Sequence, residues 1–132
     1  MTSKVTYLGE LRTECEHLAS GNKIITDAPL DNQGKAEAFS PTDTVATALA
    51  SCMFTIMGIK ARDMSLDLQN SYAEVTKIMA SNPRRISRIE INFYLPSNLQ
   101  EKEKSILENA AKTCPVIYSL HPDIEKDIRF NY

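Results

Sequence analysis

Residues 40 to 62 constrain the fold more than any other stretch of this chain. Ser40-Pro41-Thr42-Asp43 carries three helix-opening signals in four positions. A serine can cap free N–H groups, a proline fits the first helical position, and Asp43 can reach back as in a capping box. The pattern predicts a helix from about 41 to 62, with Lys60 and Arg62 well placed at its negative end. Val45, Leu49, Cys52, Ile56 and Ile59 recur at helical spacing, and Ala46, Ala50, Met53 and Met57 make the adjoining face apolar too. A helix apolar nearly all round is a buried one. The small residues Ala46, Ala48, Ala50 and Ser51 would let a neighbour approach closely.

The flanks read as sheet. Residues from about 4 to 26 predict N-terminal strands: two joined near Gly9-Glu10, then a third at Lys23 to Thr26 after the turn Ser20-Gly21-Asn22. In the second strand Leu11, Thr13, Cys15 and His17 share one face, and Arg12, Glu14 and Glu16 the other. Asp27 to Phe39 reads as a polar loop. Beyond the helix, about 66 to 131 reads as β-β-α-β. Leu66 to Ala80 alternates imperfectly, as a bulge near Ala73 would explain, and Ile86 to Leu95 alternates cleanly. Asn98 with Glu101 predicts the second helix, Thr113 to Leu120 a short turn or helix, and Ile124 to Phe130 the last strand.

This order of strands and helices indicates an α+β fold in a single domain over 1–132. One sheet covers a fully apolar helix on one side only. A second subunit is therefore expected to cover the rest, in a homodimer.

Composition narrows the function classes. Hydrophobic residues make up 42% and charged residues 24% of the 132, near globular averages, which argues against a disordered or fibrous chain. A net charge of −2 with no basic stripe gives no support for nucleic acid or an anionic membrane. No uninterrupted apolar run approaches the roughly 18 residues of a membrane span. Met1 to Val5 has no signal-peptide core, so the expected location is cytoplasmic.

Three cysteines, at 15, 52 and 114, form neither a disulfide framework nor a C-x-x-C site. Cys15 and His17 share a strand face, but two such ligands with His121 far away in sequence do not make a metal centre, so no metal is expected. Cys52 lies three turns into the long helix, beyond the reach of its dipole, and needs a nearby cation to be a thiolate; arginine keeps its charge when buried. Thr113-Cys114-Pro115 reads as a helix opening, a setting that favours thiolate. The two lie 62 positions apart, so only the fold can pair them.

Two segments carry a family resemblance. Ser40-Pro41-Thr42-Asp43 through Ala48-Leu49-Ala50-Ser51-Cys52-Met53 resembles the Pro-led central helix of the OsmC/Ohr proteins, the osmotically inducible and organic hydroperoxide resistance family. Cys114-Pro115-Val116-Ile117-Tyr118-Ser119-Leu120 is similar to that family's second-cysteine motif. The resemblance implies an OsmC-like intertwined homodimer, with long buried central helices enclosed by antiparallel-rich sheets. It also implies a thiol peroxidase with no cofactor that reduces organic hydroperoxides. In that scheme Cys52 becomes sulfenic acid and Cys114 resolves it as a disulfide, which a dithiol such as a dihydrolipoyl protein reduces. Arg12 matches the family's thiolate-holding arginine. The family's orienting glutamate follows the helix-opening proline, where this chain has Thr42, with Asp43 one residue later.

Met53 and Tyr118 are candidates for lining a hydroperoxide pocket. Two other readings stay open at this point. One is a non-catalytic module binding a small hydrophobic ligand; the other is thiol-disulfide or acyl-transfer chemistry led by Cys114.

Overall fold

The computed structural model describes all of Met1–Tyr132. The chain divides into two compact units, Met1–Val45 and Ala46–Tyr132.

The first unit is an antiparallel sheet of β1 (Ser3–Gly9), β2 (Arg12–His17) and β3 (Lys23–Asp27), in that order. The β1–β2 turn sets Glu10 and Leu11 at φ of 51° and 63°. Positive φ at both central residues matches the twist of a two-residue hairpin, although Leu is an unusual choice there. Leu11 therefore belongs to the turn rather than to the β2 face expected from alternation. Register places Val5, Cys15 and Ile24 in one row, and Arg12 opposite Asp27 on the other face. The unit buries Thr26, Asp27 and Ser40, and no apolar side chain at all. Val5, Tyr7 and Ile24 stand exposed.

The long helix α1 spans Pro41–Asp63, as its opening signals predict. Ser40 and Asp43 cap it reciprocally: Asp43 N–H donates to Ser40 Oγ at 3.1 Å, and Ser40 N–H to Asp43 Oδ2 at 2.9 Å. By length and composition α1 is long and apolar enough to cross a membrane, with a mean hydropathy of 1.5. No unbroken apolar run reaches that length, but the interspersed Thr, Ser and Gly are neutral enough to leave the average high. The helix is also not enclosed all round within one chain. Ala46, Leu49, Ala50, Met53, Met57 and Ala61 are buried, whereas Val45, Ala48, Ser51, Thr55 and Ile59 form an exposed uncharged stripe.

In the second unit, β4 (Tyr72–Ala80) pairs antiparallel with β5 (Arg85–Tyr94), and β6 (Glu125–Asn131) pairs parallel to β5. Ile89, Ile91 and Phe93 alternate inward from β5 onto α1's buried face, in one core with Leu107 and Ala111 of α2 (Glu101–Ala111). Two boundaries differ from expectation. β4 starts at Tyr72, because Leu66 folds back with its N–H donating to Ala61 O at 2.8 Å. The irregularity lies at Ile78/Met79 rather than near Ala73: Ser87 is the extra residue on β5, and its Oγ donates to Ile78 O at 3.0 Å. Helix α2 opens at Gln100, whose N–H donates to Glu103 Oε2 at 2.7 Å, two residues beyond the Asn98/Glu101 pattern. The short α3 (Pro115–Ser119) follows, capped by Cys114.

Candidate functional site

Cys52 and Cys114 come together in the second unit. Cys52 projects from mid-α1, is only partly buried, and packs against the core that contains Cys114. Cys114 is fully buried at the start of α3, where its Sγ accepts a long hydrogen bond of 3.4 Å from Ile117 N–H. Both are free thiols.

Burial is the largest influence on the Cys114 thiol and pushes its pKa up. The Ile117 N–H pulls the other way, and the nearby Cys52 side chain raises it further. Cys52 therefore lies near enough to act on the Cys114 thiol. The expected thiolate-favouring helix start is overridden, because a five-residue helix supplies little field while burial penalises the charge. Chemistry led by Cys114 loses its main support. Of the two thiols, Cys114 is the buried one and Cys52 the more accessible.

The first unit builds a guanidinium cluster. Arg12 Nε donates to Asp27 Oδ1 at 2.7 Å and its Nη2 to Asp27 Oδ2 at 2.8 Å, a bidentate fork across paired strands. Nη2 also donates to Glu37 Oε2 at 3.1 Å, and Glu37 N–H donates to Asp27 Oδ2 at 3.1 Å. Asp27 is 2% exposed and Glu37 62%. Hydrogen bonding to Arg12 holds the Asp27 carboxyl below its ordinary pKa, and the same fork holds the guanidinium charged.

Asp27 was not singled out by sequence reasoning. Pairing symmetric about the turn at Ser20-Gly21-Asn22 would set position 27 opposite 15; the register instead centres between Ala19 and Ser20, so Asp27 lies opposite Arg12. Ending the third strand at Thr26 left Asp27 in the loop. Of the supporting candidates, Asp43 is the helix cap, and Thr42 Oγ1 lies 3.2 Å from Ser40 Oγ in the same turn. Met53 is fully buried in the core, and Tyr118 is 74% exposed. No cluster of three metal-ligating side chains occurs.

Residues 34–129 match the family model of the OsmC-like protein. A crystal structure from Psychrobacter arcticus 273-4, provisionally described as an osmotic stress induced and detoxification response protein, is 57% identical. The match covers 99% of this chain and 96% of that one at a TM-score of 0.96. An organic hydroperoxide resistance protein OsmC from Legionella pneumophila shares the fold at 15% identity and TM-score 0.78, over 100% and 98% of the two chains. One from Elizabethkingia anophelis, with thiocyanate bound, does so at 12% and 0.76, over 99% and 96%. No curated protein matches the sequence. The two cysteine motifs, the capped central helix, the sheet order and these similarities agree: the chain belongs to the OsmC-like family.

Proposed function

We propose that this protein is a cytoplasmic thiol peroxidase for organic hydroperoxides. Family membership supports a peroxide-related role. The observation that carries the finer reading is the adjacency of a partly exposed Cys52 to a fully buried Cys114.

The Cys52 thiolate attacks the terminal peroxide oxygen. The O–O bond breaks, the alcohol leaves with a proton, and Cys52 becomes sulfenic acid. Cys114 then attacks the Cys52 sulfur, expelling water and forming the 52–114 disulfide. An external dithiol of the dihydrolipoyl type returns both to thiols by exchange. The family resemblance gives Arg12 the role of stabilising the Cys52 thiolate, and exposed Tyr118 is a candidate wall for the substrate's organic group.

The working form is a homodimer. A 45-residue unit without one buried apolar side chain has no core of its own. The exposed face carrying Val5, Tyr7 and Ile24, and the uncharged stripe of α1, are the surfaces a second copy covers.

Stopped-flow oxidation of the reduced protein by cumene hydroperoxide tests the reading. Fast oxidation that Cys52→Ser abolishes supports it. Wild-type rates in Cys52→Ser would end it.

A further inference from the structure

Five tyrosines occur in the chain, and two of them stack on each other. Tyr72 opens β4 and pairs in register with Tyr94 at the end of β5, so the two side chains leave the sheet side by side. Ile91 and Phe93 point into the core, which puts Tyr94 and its partner on the opposite, outer face. The ring centroids are 4.7 Å apart and the ring planes differ by 17°. Near-parallel rings at that spacing are offset and in contact, with carbons of one ring lying over carbons of the other. Tyr72 is 55% exposed. Two residues along β4 on the same face, Glu74 Oε2 accepts a hydrogen bond of 3.1 Å from the Tyr94 hydroxyl.

We infer that Tyr72 and Tyr94 form a modification site on the outer face of this sheet, at which organic alkoxyl radicals are quenched and an intramolecular dityrosine is left behind. The site uses no cysteine. Its oxidant is a one-electron one, chemically distinct from the hydroperoxide assigned to Cys52.

Each phenol gives one electron and one proton to an alkoxyl radical, which becomes the alcohol, and the phenol becomes a phenoxyl radical. For Tyr94 the proton moves first onto Glu74 Oε2 as the electron leaves, and solvent carries it on to the alkoxide. The two phenoxyl radicals then join through their ring carbons ortho to oxygen, forming one C–C bond. The two ortho hydrogens shift to the phenolic oxygens and restore both rings. Two alkoxyl radicals thus become two alcohols, and the protein loses two hydrogens.

The other tyrosines lack this combination. The Tyr132 hydroxyl donates to Glu108 Oε1 at 2.6 Å, but the Lys104 ammonium lies 4.7 Å from the ring centroid, and a cation there opposes loss of an electron. Tyr7 Oη accepts from Leu11 N–H at 3.2 Å and is not bonded to a carboxylate. Neither Tyr7 nor Tyr118 stacks on a second ring. The bond to Glu74 also raises the pKa of the Tyr94 phenol, so its proton is still present to leave with the electron.

The experiment exposes wild type, Tyr72→Phe, Tyr94→Phe and Glu74→Gln to tert-butoxyl radicals, made from tert-butyl hydroperoxide and a ferrous chelate. Dityrosine fluorescence is read in the monomer band of a reducing denaturing gel, and peptide mapping locates the bond. Reduction removes any disulfide and leaves the C–C bond intact. Wild type is expected to gain the fluorescence, with the map joining Tyr72 to Tyr94. Both Phe variants keep the stacked rings and are expected to lose it. Glu74→Gln is expected to slow its growth about 10-fold, less than a buried general base would contribute because water reaches this surface.

No dityrosine in wild type, fluorescence that survives in either Phe variant, or a map that joins other tyrosines overturns the site. A wild-type rate in Glu74→Gln overturns the proton transfer to that carboxylate. Equal fluorescence from the hydroperoxide without iron overturns the one-electron chemistry. Each of these results is independent of Cys52, so the peroxidase reading stands or falls separately.

Discussion

Placing a charge on the apolar face of the N-terminal sheet tests the dimer, and Ile24→Glu is the sharpest choice. Tyr7 is 65% exposed, Val5 61% and Ile24 55%. Of a tyrosine's roughly 200 Å², about 130 Å² remains to be covered, contributing about 3 kcal/mol at ~25 cal/mol per Å². The uncovered halves of Val5 and Ile24 add about 1 kcal/mol each. A twofold interface counts every residue twice, giving roughly 10 kcal/mol before the cost of association is met. Ile24→Glu removes about 1 kcal/mol of that burial and leaves an unpaired carboxylate costing about 2 kcal/mol or more, in both subunits. The sum, about 6 kcal/mol, weakens the dimer by roughly four powers of ten.

Sedimentation equilibrium from submicromolar to tens of micromolar protein reads this directly. Wild type should hold a dimer mass while Ile24→Glu dissociates. Lys4→Glu, on the opposite face of the same sheet, should remain dimeric. An Ile24→Glu protein assembling as wild type does would refute the assignment of this face.

Three further outcomes follow from the same geometry. Cys114→Ser should still be oxidised at Cys52 but, with no resolving thiol, should gain about 16 and then about 32 Da with excess hydroperoxide, read by intact mass. Gly34→Ala would set a Cβ 1.6 Å from the Ala28 carbonyl oxygen. Backbone cannot yield that far, so the loop should open at a cost of about 1–3 kcal/mol in urea denaturation. Asp27 has a folded pKa below its unfolded one, so its stabilising contribution is complete above about pH 4 and is lost as pH falls through the lower folded value. Urea midpoints should therefore fall less as pH drops from about 5 to about 3 in Arg12→Met, which lacks the fork, than in wild type.

Much of this architecture is legible from local chemistry. Ser40, Pro41 and Asp43 act within four residues of one another, so the start of α1 is written in adjacent side chains. The inward row of β5 is equally plain, because Ile89, Ile91 and Phe93 alternate with polar residues and are all fully buried. Boundaries fail where two local patterns compete: Asn98/Glu101 and Gln100/Glu103 offer the same capping spacing, and only the second is used. The start of β4 hides in the same way, since Leu66 and Leu68 keep a strand-like phase while the backbone turns through Ser65 and Asn70 at positive φ.

The site divides along the same line. Cys52 and Cys114 stand out as residue types, but their adjacency depends on packing across 62 positions. Burial governs the Cys114 thiol, and burial, unlike a helix start, depends on packing that no local pattern shows. Asp27 hides for a smaller reason, a strand one residue longer than its alternation suggests, and the fork to Arg12 depends on that extra residue.

Intact mass spectrometry of the reduced protein after one equivalent of cumene hydroperoxide tests the central claim most directly. Conversion to a species about 2 Da lighter, with peptide mapping placing the new bond between Cys52 and Cys114, is the expected result. Unchanged thiols, or a disulfide that uses Cys15 instead, would contradict it.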